Sequence, residues 1–150
     1  STIRPTLTAG RYEKVMARAP HESSKCWQKA MSLTVWVYRL SGRLPAEEKS
    51  GLCAALRRSA TGVAQQVADA DGRADVNDAI KHYESALAGL RELLTSALIS
   101  QRLKYLRGSH IRALRSRVAK VEALIDADLE GCLEERDGEL GEPLPFRRAA

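Results

Sequence analysis

The chain has 150 residues, 44% of them hydrophobic and only 5% aromatic, with a net charge of +5 and a sequence pI near 9.3. That length suffices for one domain with a buried core. No run approaches the roughly 18 consecutive apolar residues of a membrane span, and the first residues show no signal-type hydrophobic stretch, so a soluble, cytoplasmic protein is expected.

Residues 1–22 contain Pro5, Gly10 and Pro20 without a sustained period. They are expected to form an arm, with at most a short helix over residues 11–19. The first long helix is predicted from Ser23 or Ser24, as N-cap, to Leu40, with Gly42 ending it. It carries two apolar faces. Trp27, Met31, Val35 and Tyr38 form one, and Leu33, Trp36, Val37, Leu40 and Leu44 form the other. Together they exceed what one bundle core absorbs, so the second set is assigned to an oligomer interface.

The next helix is predicted over residues 45–73, entered at Pro45, with Glu47 and Glu48 in its first turn and Gly72 at its end. Leu52, Leu56, Ala60, Val63, Val67 and Ala70 make its core stripe. Ser59, Ala60, Gly62, Ala64 and Ala68 keep it thin, which favours close helix packing. A third helix is predicted from an Asp75 cap to Leu106 along Val76, Ile80, Tyr83, Leu87, Leu90, Leu94 and Leu98. A fourth, capped by Ser109, buries Ile111, Leu114, Val118, Val121, Ile125 and Leu129 and frays near residues 131–135. Residues 136–150 read as a flexible tail. Four amphipathic helices with short connections imply an all-α, up-down-up-down antiparallel four-helix bundle over residues 23–135.

The second helix carries a family resemblance. Pro45, Glu48, Gly51-Leu52, Arg57-Arg58-Ser59-Ala60, Gly62-Val63, Gln66 to Ala70 and Gly72-Arg73 align with its pattern, apart from the departures named below, as do Trp36-Val37-Tyr38 before and Ala86 to Leu93 after. This resembles the four-helix-bundle family of proteins encoded in intervening sequences of bacterial large-subunit rRNA genes and of accessory variability proteins of diversity-generating retroelements. Gly62, Gln66 and Asp69-Ala70 depart from the pattern, which has Ser, Asn and Glu-Gly there. The resemblance implies a ring-shaped homopentamer and either an rRNA context or a reverse transcriptase bound with template RNA as a partner, between which the sequence does not choose.

Little points to catalysis. His21, His82 and His110 fall in no nucleophile or metal pattern, no Glu-x-x-His of the di-metal bundle type occurs, and no Gly-rich phosphate loop follows a strand. Asp78 and His82, four apart, read as an exposed helix pair. Cys26, Cys53 and Cys132 are odd in number and widely spaced, which reads as three free thiols. No enzyme activity, metal or cofactor is expected.

Charge distribution carries more. Residues 101–120 hold Arg102, Lys104, Arg107, Arg112, Arg115, Arg117 and Lys120 without one acid, whereas residues 122–142 hold nine acids against Arg136 alone. The first run is a phosphate-attracting candidate, to which Arg57, Arg58 and Arg73 are added. With few aromatic platforms, contact with nucleic-acid backbone is expected over base readout, and the resemblance makes RNA the expected ligand ahead of another structured nucleic acid. The alternative is a structural assembly protein whose basic surface pairs with acidic protein partners, including the acidic stretch of a second copy. Arg57 and Arg58 have their own alternative, as ion-pair partners of Asp69, Glu92 or a neighbouring chain.

Overall fold

A computed structural model describes residues 20–139. The expectations for residues 1–19 and 140–150 lie outside the described residues. Four α-helices follow one another: α1 Lys25–Ser41, α2 Leu52–Asp71, α3 Val76–Arg102 and α4 Gly108–Glu139. Single 3-10 turns occur at Pro20–Ser23 and Ala46–Glu48, and there is no strand among the described residues.

Each helix packs against its neighbours in sequence, and α4 closes the bundle against α1. Short connections make neighbours antiparallel. The α1–α2 and α3–α4 turns therefore share one end, the upper. The start of α1, the α2–α3 turn and the last part of α4 share the lower.

Local chemistry sets the boundaries. The Ser24 hydroxyl accepts from Trp27 N–H at 3.2 Å, and an Asp75 carboxylate oxygen accepts from Asn77 N–H at 3.0 Å, so α1 and α3 start at capped residues. The single helix expected over residues 45–73 is instead interrupted. Glu48 Oε2 folds back to accept from Leu52 N–H at 3.0 Å, and α2 starts only there. Gly51 permits this, because a Cβ on it would lie 2.6 Å from that same oxygen.

The third helix stops at Arg102, four residues short of Leu106. Lys104 takes φ 66°, its N–H donates to Gln101 C=O at 2.8 Å, and Tyr105 N–H donates to Ser100 C=O at 2.9 Å. These are the two bonds of a Schellman stop, built on lysine in place of glycine. α4 runs on to Glu139, past both the fraying point and the tail boundary expected near residue 136.

The core corrects two assignments. Leu33, Val37, Leu40 and Leu44 are buried within the single chain, so they are not free for an oligomer interface, and Trp36 is half-buried. The exposed apolar side chains of α1 are Met31, Val35 and Tyr38, at 39%, 48% and 45% exposure. Thr34 helps fix this phase, since its hydroxyl lies 3.1 Å from Ala60 C=O of α2. On α3 the buried line is Ala86, Leu90, Leu93 and Ala97, and Leu87, Leu94 and Leu98 lie at its flanks.

The reason for that rotation is the closeness of α2 to α3. A Cβ at Gly89 would stand 2.9 Å from Cγ2 of Val63, which is itself fully buried. Gly89→Ala is therefore expected to destabilise the protein by about 1 kcal/mol even though alanine favours helix. In a Val63→Ala background the same change should be neutral or stabilising. A double-mutant cycle by urea denaturation measures the coupling, and additive effects would refute the close-approach account.

Candidate nucleic-acid interface

At the upper end, Arg102, Lys104, Arg107, Arg112, Arg115, Arg117 and Lys120 are all exposed, and among the described residues none is held in an ion pair. The Schellman turn sets Lys104 at its left-handed position, and Arg107 immediately precedes α4. With Ile111, Leu114, Val118, Val121 and Ile125 facing the core, helical periodicity turns Arg112 and Arg115 to one flank of α4 and Arg117 and Lys120 to the other. On that second flank the Arg117 guanidinium lies 4.8 Å from the centroid of the Trp36 ring on α1.

The electrostatics reinforce the position. The first turn of α4 holds no acid, so the positive end of its dipole adds to the cations around it, and the acids of its last third lie at the negative end. Both placements oppose what a helix dipole favours. Each therefore enlarges the potential at its own end of the bundle. His110 Nδ1 accepts from Arg107 N–H at 3.0 Å. Its pKa is lowered by partial burial and by the nearby Arg43 and Arg107 charges, which favours the neutral ring that accepts this bond.

Three cations behave differently from the rest. Arg57 is engaged inside the chain: its Nε donates to Ser41 Oγ at 2.8 Å, and its guanidinium lies 4.8 Å from the Tyr38 ring centroid. Neither Asp69 nor Glu92 is its partner. Arg58 is exposed on the upper half of α2. Arg73, also exposed, lies in the α2–α3 turn at the lower end, about 30 Å away along a helix of 20 residues, and so does not join the cluster. Two cations not anticipated do: Arg43 and Lys49 are exposed in the α1–α2 connection, which also brings the acids Glu47 and Glu48 to this end. The signal was available, because antiparallel order puts that connection beside the α3–α4 turn.

Among the described residues no three His, Cys, Asp or Glu side chains gather as a metal site, and no described helix is long and apolar enough to cross a membrane. A comparison with the curated proteins found no match. The family described as 23S rRNA-intervening sequence protein matches residues 22–127, which span all of α1, α2 and α3 and most of α4. The chain belongs to that family.

In this 23S rRNA-intervening sequence protein family member, the position read as departing from Asn carries a cross-helix contact: Gln66 Oε1 lies 2.7 Å from His82 Nδ1. The Asp78–His82 pair expected on α3 is replaced by this one. The lower end gathers Cys26, Asp71, Tyr83, Asp128 and Cys132 around a cleft of about 560 Å³. The Tyr83 hydroxyl donates to Asp71 Oδ1, and Asp71 Oδ2 is buried with no hydrogen-bond partner among the described residues.

Burial, with Asp128 and Asp71 nearby, pushes the Cys26 thiol up to about 12. Burial also raises Cys132, with help from Glu135, Asp128 and Asp71. These are protonated thiols, poorly suited to nucleophilic chemistry. Asp128 is raised from 3.8 by partial burial and by Asp71.

A carboxyl whose folded pKa lies above its unfolded value contributes stability below the unfolded value and loses it as pH rises through the folded one. Asp128→Asn should therefore be more stable than the parent at pH 7, by less than about 0.5 kcal/mol because solvent screens so exposed a group. The difference should vanish as pH falls toward 3.8. Thermal melts across that window check it, and a variant less stable at pH 7 would refute the sign.

Proposed function

We propose that the protein is a non-catalytic RNA-binding bundle that works as a homo-oligomer and holds the phosphate backbone at its upper end. One observation carries this reading: seven exposed cations, with no ion pair among the described residues, run from the end of α3 along both flanks of the first half of α4, whose N-terminus adds its own positive potential. Membership of a family described by rRNA intervening sequences makes structured RNA the first ligand to test, ahead of a reverse transcriptase complex.

Assembly rests on a different surface. A groove of about 600 Å³ runs between α1 and α2, with Trp27, Met31, Val35, Tyr38, Ala64 and Ala68 along it. An apolar face of this kind fits a second copy of the chain, and the family resemblance implies five copies. A ring would repeat the basic end around one axis and make RNA binding multivalent. The competing reading, in which the basic surface only pairs with acidic protein, is separated by experiment.

Fluorescence anisotropy with a labelled RNA hairpin should show binding that weakens as salt rises, by roughly one log-log unit per phosphate contacted. Arg112→Glu/Arg115→Glu should reduce affinity at least about tenfold and flatten the salt slope, with an unchanged mass by light scattering. A mass that falls in the variant, with no RNA bound by the parent at low salt, would establish the assembly reading instead. A parent that runs as a 16.5 kDa monomer at working concentration would remove the oligomer from the proposal.

Lys104→Gly separates fold from binding. Relief of the left-handed lysine should raise stability by about 1 kcal/mol, while the lost cation weakens RNA binding by a few-fold. Tighter binding in this variant would argue against a role for the turn.

A further inference from the structure

We propose that the cleft between α1 and α4 beside Trp36 is a pocket for an unpaired nucleobase, so that the basic end selects RNA with single-stranded positions over fully paired duplex. The inference rests on the RNA-binding reading above and adds to it the form of RNA preferred. The cleft measures about 400 Å³ and is lined by Met31, Ser32, Val35, Trp36, Arg39 and Arg117, of which Met31, Val35 and Arg39 form the ridge it shares with the α1–α2 groove. That volume is within the range of small-ligand sites, roughly 300–1,000 Å³.

Its chemistry is specific. The walls combine an indole, two apolar side chains and two guanidiniums, and no carboxylate lines it. Arg117 already stacks on Trp36, at 4.8 Å from the ring centroid, which supplies a planar aromatic and cationic surface of the kind on which bases stack. Arg39 is exposed, and among the described residues no ion pair occupies it. A flat ligand bearing negative charge satisfies both halves of this lining, and a nucleotide is such a ligand.

The surroundings extend the match along a strand. Lys29 lies seven residues before Trp36, on its face of α1 and about 10 Å away, and Arg43 lies just beyond the other end of α1, in the α1–α2 connection. Lys120 lies one turn from Arg117 on α4. All three are exposed. Cations thus flank the cleft along the groove, where the phosphates on either side of an inserted base would lie. A paired base in a duplex offers no free face to this cleft.

The test uses the full chain with Trp27→Phe, so that Trp36 is the sole tryptophan, and because Trp27 lines the α1–α2 groove this protein is first matched to the parent in mass by light scattering and in RNA affinity. It is titrated at low salt with a single-stranded RNA decamer and with a blunt RNA duplex of equal length. The single strand should quench Trp36 emission and the duplex should not. Trp36→Leu should lower single-strand affinity about tenfold and leave duplex affinity unchanged, and Trp36→Phe should retain most of it. If Trp36→Leu fails to fold, quenching in the Trp27→Phe protein decides alone.

Binding of the single strand without quenching, or equal losses for both RNAs, would overturn the pocket while the wider reading stands. A fall in mass by light scattering in Trp36→Leu would also overturn it and assign the cleft to a contact between copies. Failure of the parent to bind either RNA would sink the RNA-binding reading and this inference with it.

Discussion

At Gly89 the backbone of α3 passes so near α2 that a methyl group would stand 2.9 Å from Val63. Much of the remaining packing depends on that approach. Ala60, Val63 and Ala64 of α2 are buried, as are Ala86, Leu90 and Leu93 of α3, so small residues set how near the two axes come. The same short side chains have a cost on the other side of α2. Ala64 and Ala68 are too small to fill the space beside α1, and a groove opens there along Trp27, Met31, Val35 and Tyr38. Tight packing of α2 against α3 and exposure of apolar surface on α1 thus share one physical origin.

Charge is sorted along the bundle as sharply as volume is sorted across it. α4 carries its cations in its first half and its acids from there to its negative end, and those in the terminal turns each cost a few tenths of a kcal/mol for an isolated helix. Elsewhere the fold follows the rules, with Ser24 and Asp75 capping α1 and α3 and Glu48 capping α2 through its side chain. Arg57 shows what a cation does when it serves the fold: it bonds Ser41, lies over Tyr38 and ties α1 to α2. None of the seven cations from Arg102 to Lys120 is used in that way except Arg117, which touches Trp36 by one face of its guanidinium.

Much of this was legible in the sequence, for identifiable reasons. Caps at Ser24 and Asp75 and the aliphatic line of α4 are local signals, and local signals survive folding. The stop at Lys104 was not legible, because a Schellman turn is announced by glycine and here a lysine takes the left-handed position. The break before α2 was hidden because Glu48, in keeping with a helix first turn, caps the next segment instead. The phase of α1 was ambiguous since both of its faces are apolar, and it is decided by packing across the bundle, which buries Leu33, Val37 and Leu40, with the contact of Thr34 to Ala60 of α2 in support. Arg73 follows α2 directly in sequence yet lies at the far end from Arg102 to Arg117. Trp36 and Arg117 meet across a separation that no periodicity reports.

The upper end therefore combines three features that each disfavour the isolated chain: cations beside a helix N-terminus, a non-glycine residue at positive φ, and an excess of cations over the two acids of the α1–α2 connection, Glu47 and Glu48. Backbone strain and uncompensated charge persist only where the surrounding structure is firm enough to hold them, and they concentrate at sites that act on something outside the chain. In the proposed ring, a parallel arrangement of subunits would bring these ends to one face and keep the acidic ends apart from them. The repulsion within such a face grows with each copy added. A polyanion that spans several subunits relieves all of it at once, which is the physical reason to expect RNA and ring to stabilise each other.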